Sequence, residues 1–410
     1  MRILFVCQHY WPEPFNSTDV CETLAAHGHE VTVLTGLPNT GMPGNDTLPE
    51  YRDGNRLEET HNGVRILRVK MHPRKYGAVH RVANYLTFWR NANKAAKRLD
   101  ETFDVVLGYQ FSPIMQVDPG VRFAEKTGTP IMIFSFDLWP ESLVAGGIKR
   151  GTPPFRWIEG VSKRIYASAD TLAITSPRFR DYFEDELGLK GIETVYIPQY
   201  AEDLFANADA PVPSGYDESK INFTFAGNVG AAQGIETLVR TAGILSSDDR
   251  VAFHVVGSGS RLEECKSLAG ELGVRNLTFH GRHELEEMPS FYAASDCMLA
   301  TFSNDPLLDW TLPRKVQTYM AASKPIICTS MGEARRVVEE AACGYCCPPD
   351  DPRALADLCT RLAELEPTQR QTMGKSGGEY YAEHFSKDQF FEALERELRG
   401  LAGTRHGERL

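Results

Sequence analysis

The sequence has no run of 18 uncharged apolar residues, so it offers no helix long enough to span a bilayer. The apolar start Met1–Cys7 ends at Gln8-His9 without a small-residue cleavage site behind it, and we therefore expect no secretory leader. The nine cysteines, an odd number, show no spacing typical of a disulfide framework. These absences favour a reducing compartment, and we predict a cytoplasmic protein.

A zinc-like cysteine pattern is also missing. Cys343 and Cys346 match C-x-x-C, but no second cysteine pair or histidine pair stands at zinc spacing. The run from Cys343 to Cys347 enters two prolines and is typical of a buried strand. We interpret these thiols as structural and predict no metal site, with a metal or redox role as the alternative.

Negative charge is absent from one long segment. The net charge of −11 argues against wholesale binding of nucleic acid, yet no Asp or Glu occurs from His61 to Leu99. Aromatic residues in the same segment, such as Tyr85 and Trp89, accompany the cations, as on helices at a membrane surface. We predict that residues 65–98 touch the anionic inner face of a membrane peripherally; a basic helix that only covers a sheet is the alternative. The cations of the segment are Arg65, Arg68, Lys70, Arg74, Lys75, Arg81, Arg90, Lys94, Lys97 and Arg98.

Short apolar runs alternate with amphipathic stretches along the 410 residues, which predicts β-α units and parallel sheets covered on both faces. The pattern restarts at Ile221, after a linker-like stretch at Ala206–Ser219. We predict an α/β protein with two doubly wound, Rossmann-like domains facing each other across a cleft. The expected domains are 1–205 and 206–385. A charged helix and tail at 386–410 can pack on either domain, and we expect it on the N-terminal one.

Two glycine-containing loops follow predicted strands in the second half. The first runs from Gly227-Asn228 through Gly230 to Gln233, and the second begins at Gly257. Backbone N–H groups and a helix N-terminus at such turns can bind phosphate. A tight strand-to-helix turn that needs glycine for its backbone angles is the alternative.

A predicted helix begins at Leu312-Pro313-Arg314-Lys315. Proline suits a helix start, but two cations in the first turn oppose the helix dipole. A bound diphosphate would make these two cations favourable, because each charge-assisted hydrogen bond to it would contribute about 1.5–3 kcal/mol. We predict a diphosphate site here; a solvated basic helix start is the alternative. Glu333, at the start of a later helix, either lies by the ligand or simply favours the helix dipole.

The order of these motifs resembles family 4 of the retaining GT-B glycosyltransferases. They are Gly-Asn-Val-Gly-x-x-Gln-Gly at 227–234, Leu-Pro-Arg-Lys-x-x-x-Tyr-Met-Ala-Ala from Leu312, and Cys-Gly-Tyr-x-x-Pro-Pro from Cys343. The N-terminal segments Tyr10–Glu13, Gly28–Gly36 and Asp137–Ser142 are similar to a subgroup that includes N-acetyl-fucosamine transferases of bacterial polysaccharide assembly. The resemblance covers nearly the whole chain.

The resemblance implies metal-independent transfer from a nucleoside diphosphate sugar, with the anomeric configuration retained. It places the donor on the C-terminal domain and the acceptor on the N-terminal one, with no further cofactor. The sequence agrees on the metal, since no Asp-x-Asp spacing occurs. The leaving diphosphate must then be stabilised by protein cations and backbone dipoles. Lys315 is the first candidate for this catalytic role, and Arg314 is the second.

The chain departs from the family at several donor positions. Asn228 and Gln233 replace an arginine and a lysine, and Thr318 stands where a ribose-binding glutamate is usual, so ribose binding is altered or weaker. Asp309 is expected to contact the donor sugar, and Arg282 to pack on the base, a surface arginine being the alternative. The predicted donor set is Gly227, Asn228, Gly230, Gln233, Gly257, Arg282, Asp309, Pro313, Arg314, Lys315, Thr318 and Glu333.

On the acceptor side, Asp137, Trp139 and Glu141 follow a predicted strand. Asp137 is predicted to take the acceptor proton or to orient a hydroxyl, help worth about 10²–10⁴-fold. The alternative is that Asp137 and Glu141 only cap a helix. In retaining transferases the leaving phosphate can itself serve as the base. Asn16 or Ser17 is predicted to donate to the β-phosphate.

We therefore predict a glycosyltransferase of the hexosyl or N-acetylhexosaminyl class. It would move a sugar from a donor to a saccharide or polyprenyl-linked acceptor. We expect the sugar to be N-acetylated and the donor to be UDP-linked. Two alternatives stay open on the sequence alone. One is an epimerase or phosphorylase of the same fold, and the other is a non-catalytic carbohydrate-binding protein.

Overall fold

A computed structural model describes residues 1–40, 46–52, 56–201 and 212–407. The chain divides into two compact units. The N-terminal domain comprises Met1–Ile197 together with the chain from Phe391 onward, and the C-terminal domain is Pro198–Phe390. The first part of the predicted linker, up to residue 211, lies outside the described residues.

In the described part of the N-terminal domain, eight strands form one sheet in the order β3-β4-β2-β1-β5-β6-β7-β8. The strands are β1 (Arg2–Val6), β2 (Glu30–Gly36), β3 (Glu58–His61), β4 (Val64–Val69), β5 (Val105–Gln110), β6 (Ile131–Ser135), β7 (Thr171–Ile174) and β8 (Thr194–Tyr196). The helices are α1 (Ser17–Ala26), α2 (Pro49–Arg52), α3 (Ala78–Arg98), α4 (Asp118–Thr127), α5 (Ser142–Ala145), α6 (Pro153–Ala167) and α7 (Phe179–Asp181). The apolar runs β1, β5 and β6 are buried on both faces, as parallel strands between helix layers require.

The sheet differs from the prediction at its edge, where β3 pairs antiparallel with β4. The two strands are joined by Asn62-Gly63, whose φ angles are 45° and 82°. Positive φ at both positions is what a two-residue hairpin turn needs, and Asn-Gly is its strongest sequence signal. The parallel sheet predicted from the sequence therefore carries one antiparallel hairpin at its edge, and Asn62-Gly63 is the local signal for it.

The C-terminal domain holds a parallel sheet of six strands in its described part, in the order β11-β10-β9-β12-β13-β14. The strands are β9 (Ile221–Ala226), β10 (Val251–Val256), β11 (Leu277–Gly281), β12 (Cys297–Ala300), β13 (Ile326–Thr329) and β14 (Gly344–Cys347). The helices are α8 (Ile235–Ile244), α9 (Leu262–Glu271), α10 (Met288–Ala293), α11 (Pro306–Trp310), α12 (Arg314–Ala321), α13 (Glu333–Glu340), α14 (Pro352–Ala363) and α15 (Pro367–His384). The last helix, α16 (Lys387–Gly407), starts at the end of this domain and belongs to the N-terminal domain from Phe391 onward.

Each face of this second sheet packs against its own apolar cluster. Phe223, Phe253 and Leu299 lie in one cluster with side chains of α8 and α14. Met298 and Ile326 lie in the other with side chains of α12 and α13. The strand order reverses between β9 and β12, and in open parallel sheets ligands bind beyond the carboxyl ends at such a reversal.

The C-terminal helix α16 contributes a side chain to the N-terminal domain. The carboxylate of Glu395 contacts His27 Nδ1 at 2.5 Å and His29 Nε2 at 3.1 Å. Arg399 also donates to it, at 2.8 Å. These partners hold the pKa of Glu395 down at about 2, against a desolvation effect that raises it. The charged face of α16 therefore has a defined partner in the N-terminal domain.

Candidate functional site

Three loops stand side by side at the carboxyl ends of β9, β10 and β11. The N–H of Gly227 donates to the carbonyl of Val256 at 2.9 Å, and the N–H of Gly257 donates to that of Gly281 at 2.7 Å. Gly227 and Gly257 have φ angles of 138° and 142°. A Cβ on Gly257 would collide with the carbonyl of Gly227, so this approach of two backbones requires glycine. Arg282 directly follows Gly281 and opens the third loop.

The polar side chains of the first loop hold its own shape. Gln233 Oε1 accepts from the N–H of Gly230 at 3.2 Å and from the amide of Asn228 at 3.4 Å. A short 3-10 turn, Ala231–Gln233, then leads through Gly234 into α8. Because these side chains are neutral, positive charge for a diphosphate has to come from another part of the domain.

Lys315 brings that charge to the point where the strand order reverses. Its Nζ lies 3.8 Å from the ring centroid of Phe225 in β9 and 5.5 Å from that of Phe302, which follows β12. A Cβ built on Gly227 would lie 3.7 Å from the same atom. Burial lowers the pKa of Lys315 to about 7. Among the described residues none hydrogen-bonds to Nζ, so the ammonium is stabilised by aromatic faces alone.

The neighbouring cation on α12 is engaged elsewhere. Arg314 Nε donates to the carbonyl of Tyr200 at 3.1 Å, and the Gln317 amide donates to the carbonyl of Gln199 at 2.6 Å. These two side chains are three residues apart and share one helix face. The structure thus does not join Arg314 to the Lys315 ammonium. Arg314 instead ties residues 199–200 to the helix.

The remaining predicted donor positions on α12 fall at its start and one turn along it. Pro313 is the N-cap residue of the helix, in the extended conformation expected there. Thr318 lies three residues after Lys315 and is buried. A short neutral hydroxyl therefore occupies the position one turn beyond the cation.

Asp309 and Glu333 come close together at the ends of β12 and β13. A Cβ on Gly332 would collide with the backbone of Asp309, so glycine permits this contact. The Glu333 side chain is buried and accepts from Arg336 at 2.7 and 3.0 Å. Glu333 therefore enters the site as half of an ion pair in the first turn of α13.

In the N-terminal domain, Asp137 lies beside a residue that the sequence analysis missed. The Ser112 hydroxyl, after β5, donates to the Asp137 carboxylate at 2.5 Å. The indole N–H of Trp139 donates to the same Ser112 oxygen at 3.1 Å. Burial raises the pKa of Asp137, and the bond from Ser112 works against that rise. No local motif signals Ser112, because it reaches Asp137 only through the pairing of β5 with β6.

Glu141 forms an ion pair with Arg150, with N–O distances of 2.9 and 2.7 Å. Burial raises the pKa of Glu141, while Arg150 lowers it. Glu141 is the N-cap residue of the short helix α5, yet it makes no side-chain capping bond in the described structure. The helix-capping alternative for Asp137 and Glu141 is therefore not formed.

The loop after β1 holds the other predicted acceptor-side residues. The Ser17 hydroxyl is buried and donates to the His9 carbonyl at 3.0 Å. Asn16 is the N-cap residue of α1, and its side chain makes no capping bond in the described structure. The His9 ring contacts the Glu13 carboxylate, with Nδ1 at 3.2 Å from one oxygen. The sequence does not signal this pair, because Glu13 reaches His9 only through the fold of the loop.

The helix α3 carries the later part of the basic segment and has one buried face and one exposed face. Asn84, Phe88, Ala92 and Ala96 are buried toward the domain. On the outside, Tyr76, Val79, Val82 and Leu86 are exposed, with Tyr76 and Val79 at 80% and 81%. Within the described ranges no helix is long and apolar enough to cross a membrane. The same ranges contain no group of three His, Cys, Asp or Glu side chains placed to hold a metal.

Comparison with known proteins identifies the family. Residues 17–199 match the glycosyl transferase 4-like domain, and residues 220–364 match the glycosyl transferases group 1. The probable glycosyltransferase WbjE of Pseudomonas aeruginosa is 30% identical over 299 residues, which are 70% of this chain and 73% of that protein. The chain belongs to family 4 of the GT-B glycosyltransferases.

Solved structures show the same fold. This glycosyltransferase matches sucrose-phosphate synthase from Thermosynechococcus elongatus with a TM-score of 0.74 at 18% identity, over 98% of this chain and all (100%) of that one. It matches HepE of Anabaena in complex with UDP with a TM-score of 0.70 at 14% identity, over 98% and 100% of the two chains. The expected GT-B fold with two Rossmann-like domains is confirmed.

Proposed function

We propose that this glycosyltransferase takes its sugar from a UDP-linked donor held by the C-terminal domain. The observation that carries the proposal is the buried ammonium of Lys315, which has no hydrogen-bond partner among the described residues and lies against the Gly227 loop. A buried cation without an anion is costly, and a diphosphate at the reversal point supplies the anion. HepE, a protein of the same fold, has been solved with UDP bound.

We propose further that catalysis needs no metal. A charge on the leaving diphosphate can be offset by a preorganised ammonium and by backbone dipoles. Lys315 and the loops at Gly227 and Gly257 are placed to do this at one sheet edge. Asp309 and Glu333 would lie toward the sugar, and Arg282 toward the base.

For the acceptor, we propose that Asp137 receives the proton of the attacking hydroxyl on the N-terminal domain. Burial raises its pKa, which makes the carboxylate a stronger base than an exposed aspartate. Ser112 and Trp139 fix its position through hydrogen bonds. The proposed transfer retains the anomeric configuration, as the resemblance to family 4 implies. The proposed donor sugar is N-acetylated, on the resemblance of the segments at 10–13, 28–36 and 137–142.

Calorimetric titration of the full chain with UDP, UDP-N-acetylglucosamine and GDP tests the donor proposal. We expect heat of binding with both uridine nucleotides and a weaker response with GDP. Absence of binding for all three would overturn it. Tighter binding of GDP than of UDP would retain nucleotide binding but refute the uridine assignment.

We propose that the exposed face of α3 docks on an anionic bilayer, where a polyprenyl-linked acceptor is found. Val79, Val82 and Leu86 follow helical spacing and form one apolar stripe, and the exposed Tyr76 lies just before the helix. Exposed cations such as Arg81 and Arg90 flank it, and each contributes about 1 kcal/mol near an anionic surface.

The first two arginines of the predicted membrane-contacting segment, residues 65–98, form ion pairs with acidic residues. Arg65 pairs with Glu58 and Glu101, and the buried Arg68 pairs with Glu59. Their charges are therefore neutralised by acids outside the segment. The proposed docking surface begins near Lys75.

Liposome flotation tests the docking proposal. We expect the chain to float with vesicles containing anionic lipid, and a Val79→Ser/Val82→Ser variant to remain in the dense fraction. Ile244→Ser/Leu272→Ser is the matched control, because these side chains are similarly exposed on the C-terminal domain. Equal flotation of the two double variants, or flotation independent of anionic lipid, would contradict docking through α3.

A further inference from the structure

We propose that His9 binds a hydroxyl group of a saccharide acceptor through its Nε2 atom, an assignment that rests on the proposed function. His9 follows β1, and the order of the N-terminal sheet reverses between β1 and β5. Ligands bind beyond the carboxyl ends of parallel strands at such a reversal. The position of His9 is therefore that of a ligand-binding loop.

The imidazole of His9 is fixed at every point except Nε2. Nδ1 lies 3.3 and 3.2 Å from the two carboxylate oxygens of Glu13. The ring stacks on Phe15 at a centroid distance of 4.9 Å and an angle of 13°. The main-chain carbonyl of His9 accepts from Ser17 and from Cys7. This degree of fixation is what a binding group needs and exceeds what filling space requires.

Glu13 determines which tautomer His9 adopts. Its carboxylate accepts from the backbone N–H groups of Tyr10, Asn39 and Thr40, at 3.2, 2.9 and 2.5 Å. An ionised carboxylate only accepts, so Nδ1 of His9 carries the proton. In the neutral ring, Nε2 then presents a lone pair to any group with an O–H or N–H.

The lone pair at Nε2 is buried and unsatisfied. Among the described residues no atom hydrogen-bonds to it, and the neighbouring Gln8 Oε1 is in the same condition. Unpaired buried polar atoms are rare in folded proteins because each costs free energy. An unpaired acceptor at the reversal point fits a partner rich in hydroxyl donors, which is the chemistry of a saccharide.

Two substitutions separate recognition from structural support. The amide of Asn in His9→Asn reaches the place of Nδ1 and keeps a bond to Glu13, but it leaves nothing at Nε2. The longer side chain in His9→Gln places an amide near Nε2 and gives up the bond to Glu13. A purely structural role predicts that His9→Asn is the milder change, and the proposed role predicts the reverse.

The experiment measures transfer from UDP-N-acetylglucosamine by the full chain to octyl glycosides of glucose, galactose and N-acetylglucosamine, and to polyprenyl phosphate. With the best of these acceptors, we expect His9→Asn to raise the KM for the glycoside roughly 10- to 100-fold and His9→Gln to raise it less. The Kd for UDP should stay within twofold in both, because the donor lies on the other domain. His61→Asn, which alters a half-buried imidazole at the β3–β4 hairpin, is the control.

A mild His9→Asn together with an impaired His9→Gln would overturn the assignment. So would transfer by the wild type to polyprenyl phosphate and to none of the glycosides, since a phosphate acceptor lacks the hydroxyl pattern. Failure of the wild type to transfer to any acceptor would instead refute the proposed function. Unchanged melting temperatures in the variants would show that altered KM values do not come from unfolding.

Discussion

Different kinds of chemical groups lie at the carboxyl ends of the strands in the two domains of this glycosyltransferase. The C-terminal domain uses backbone at Gly227 and Gly257, with one buried cation, Lys315. The N-terminal domain uses pairs of side chains from different loops, Ser112 with Asp137 and His9 with Glu13. Backbone N–H groups and a cation suit a diphosphate, which all nucleoside diphosphate sugars share. Side-chain pairs suit one particular pattern of hydroxyl groups. Under the proposed function, the C-terminal domain would therefore bind the group that nucleoside diphosphate sugars share, and the N-terminal domain would select the acceptor.

Removal of the Asp137 carboxylate should have the largest effect on transfer activity, and it acts through the N-terminal domain. We expect Asp137→Asn to lower kcat by about 10²–10⁴-fold, the range for loss of a general base. The Kd for UDP should not change. Initial rates at saturating donor measure this effect, with the exposed Asp185→Asn as control. A loss below fivefold would assign the proton to the leaving phosphate.

Removal of the Lys315 ammonium should weaken donor binding by the C-terminal domain. We expect Lys315→Met to weaken UDP binding roughly 10- to 100-fold, since one charge-assisted hydrogen bond contributes about 1.5–3 kcal/mol. The melting temperature should stay level or rise, because a buried unpaired ammonium is replaced by an apolar side chain. Calorimetry and thermal melting measure the two effects.

Two further variants sharpen the assignment to Lys315. Arg314→Ala should weaken UDP binding less than Lys315→Met does and lower the melting temperature, because Arg314 holds the Tyr200 carbonyl. Lys375→Ala, which removes an exposed cation on α15, is the control. Equal losses of UDP affinity in Arg314→Ala and Lys315→Met would show that both cations bind the diphosphate.

The pKa of Lys315 predicts how donor binding depends on pH. In the free protein the pKa is about 7, so the ammonium loses its proton above that pH. A diphosphate raises the pKa, so binding takes up a proton above pH 7 and affinity falls by up to about tenfold per pH unit there. Below pH 7 Lys315 is charged in both states and contributes no slope.

Titrations of UDP in buffers of different ionisation enthalpy measure this proton uptake. We expect roughly 0.5 to 0.8 proton between pH 7.5 and 8 in the wild type, because a 10- to 100-fold contribution raises the pKa by about 1–2 units. This uptake should be lost in Lys315→Met. The phosphate of UDP titrates nearer pH 6 and is common to both proteins. Identical uptake in the two proteins would remove Lys315 from the site.

The smallest effect is expected from Ser112, which acts through Asp137. Its hydrogen bond lowers the Asp137 pKa, so Ser112→Ala should shift the acid limb of the rate profile to higher pH. At neutral pH the loss of one hydrogen bond, about 1 kcal/mol, corresponds to a roughly fivefold lower kcat. A pH–rate profile measures both. An acid limb that does not move would separate Ser112 from the proton transfer.

Motifs within one loop could be predicted from the sequence. The glycine loops and the start of α12 lie where parallel strands end, because apolar runs and glycines mark those ends in the chain itself. The edge hairpin was also within reach, since Asn62-Gly63 is a local signal. The strands and helices followed from hydrophobic periodicity for the same reason.

Contacts between loops could not be predicted in this way. Ser112 meets Asp137 because β5 pairs with β6, and Glu13 meets Asn39 because β1 lies beside β2. Neither spacing nor composition encodes such neighbours. Arg314 and Lys315 are adjacent in sequence, yet helix geometry sends one to the Tyr200 carbonyl and the other to Phe225.

A crystal structure of the full chain with bound UDP would locate the diphosphate relative to Lys315. We expect the β-phosphate within hydrogen-bonding distance of Lys315 Nζ, beside the loop at Gly227. A diphosphate bound away from the carboxyl ends of β9 and β12, with Lys315 still enclosed by Phe225 and Phe302, would contradict it.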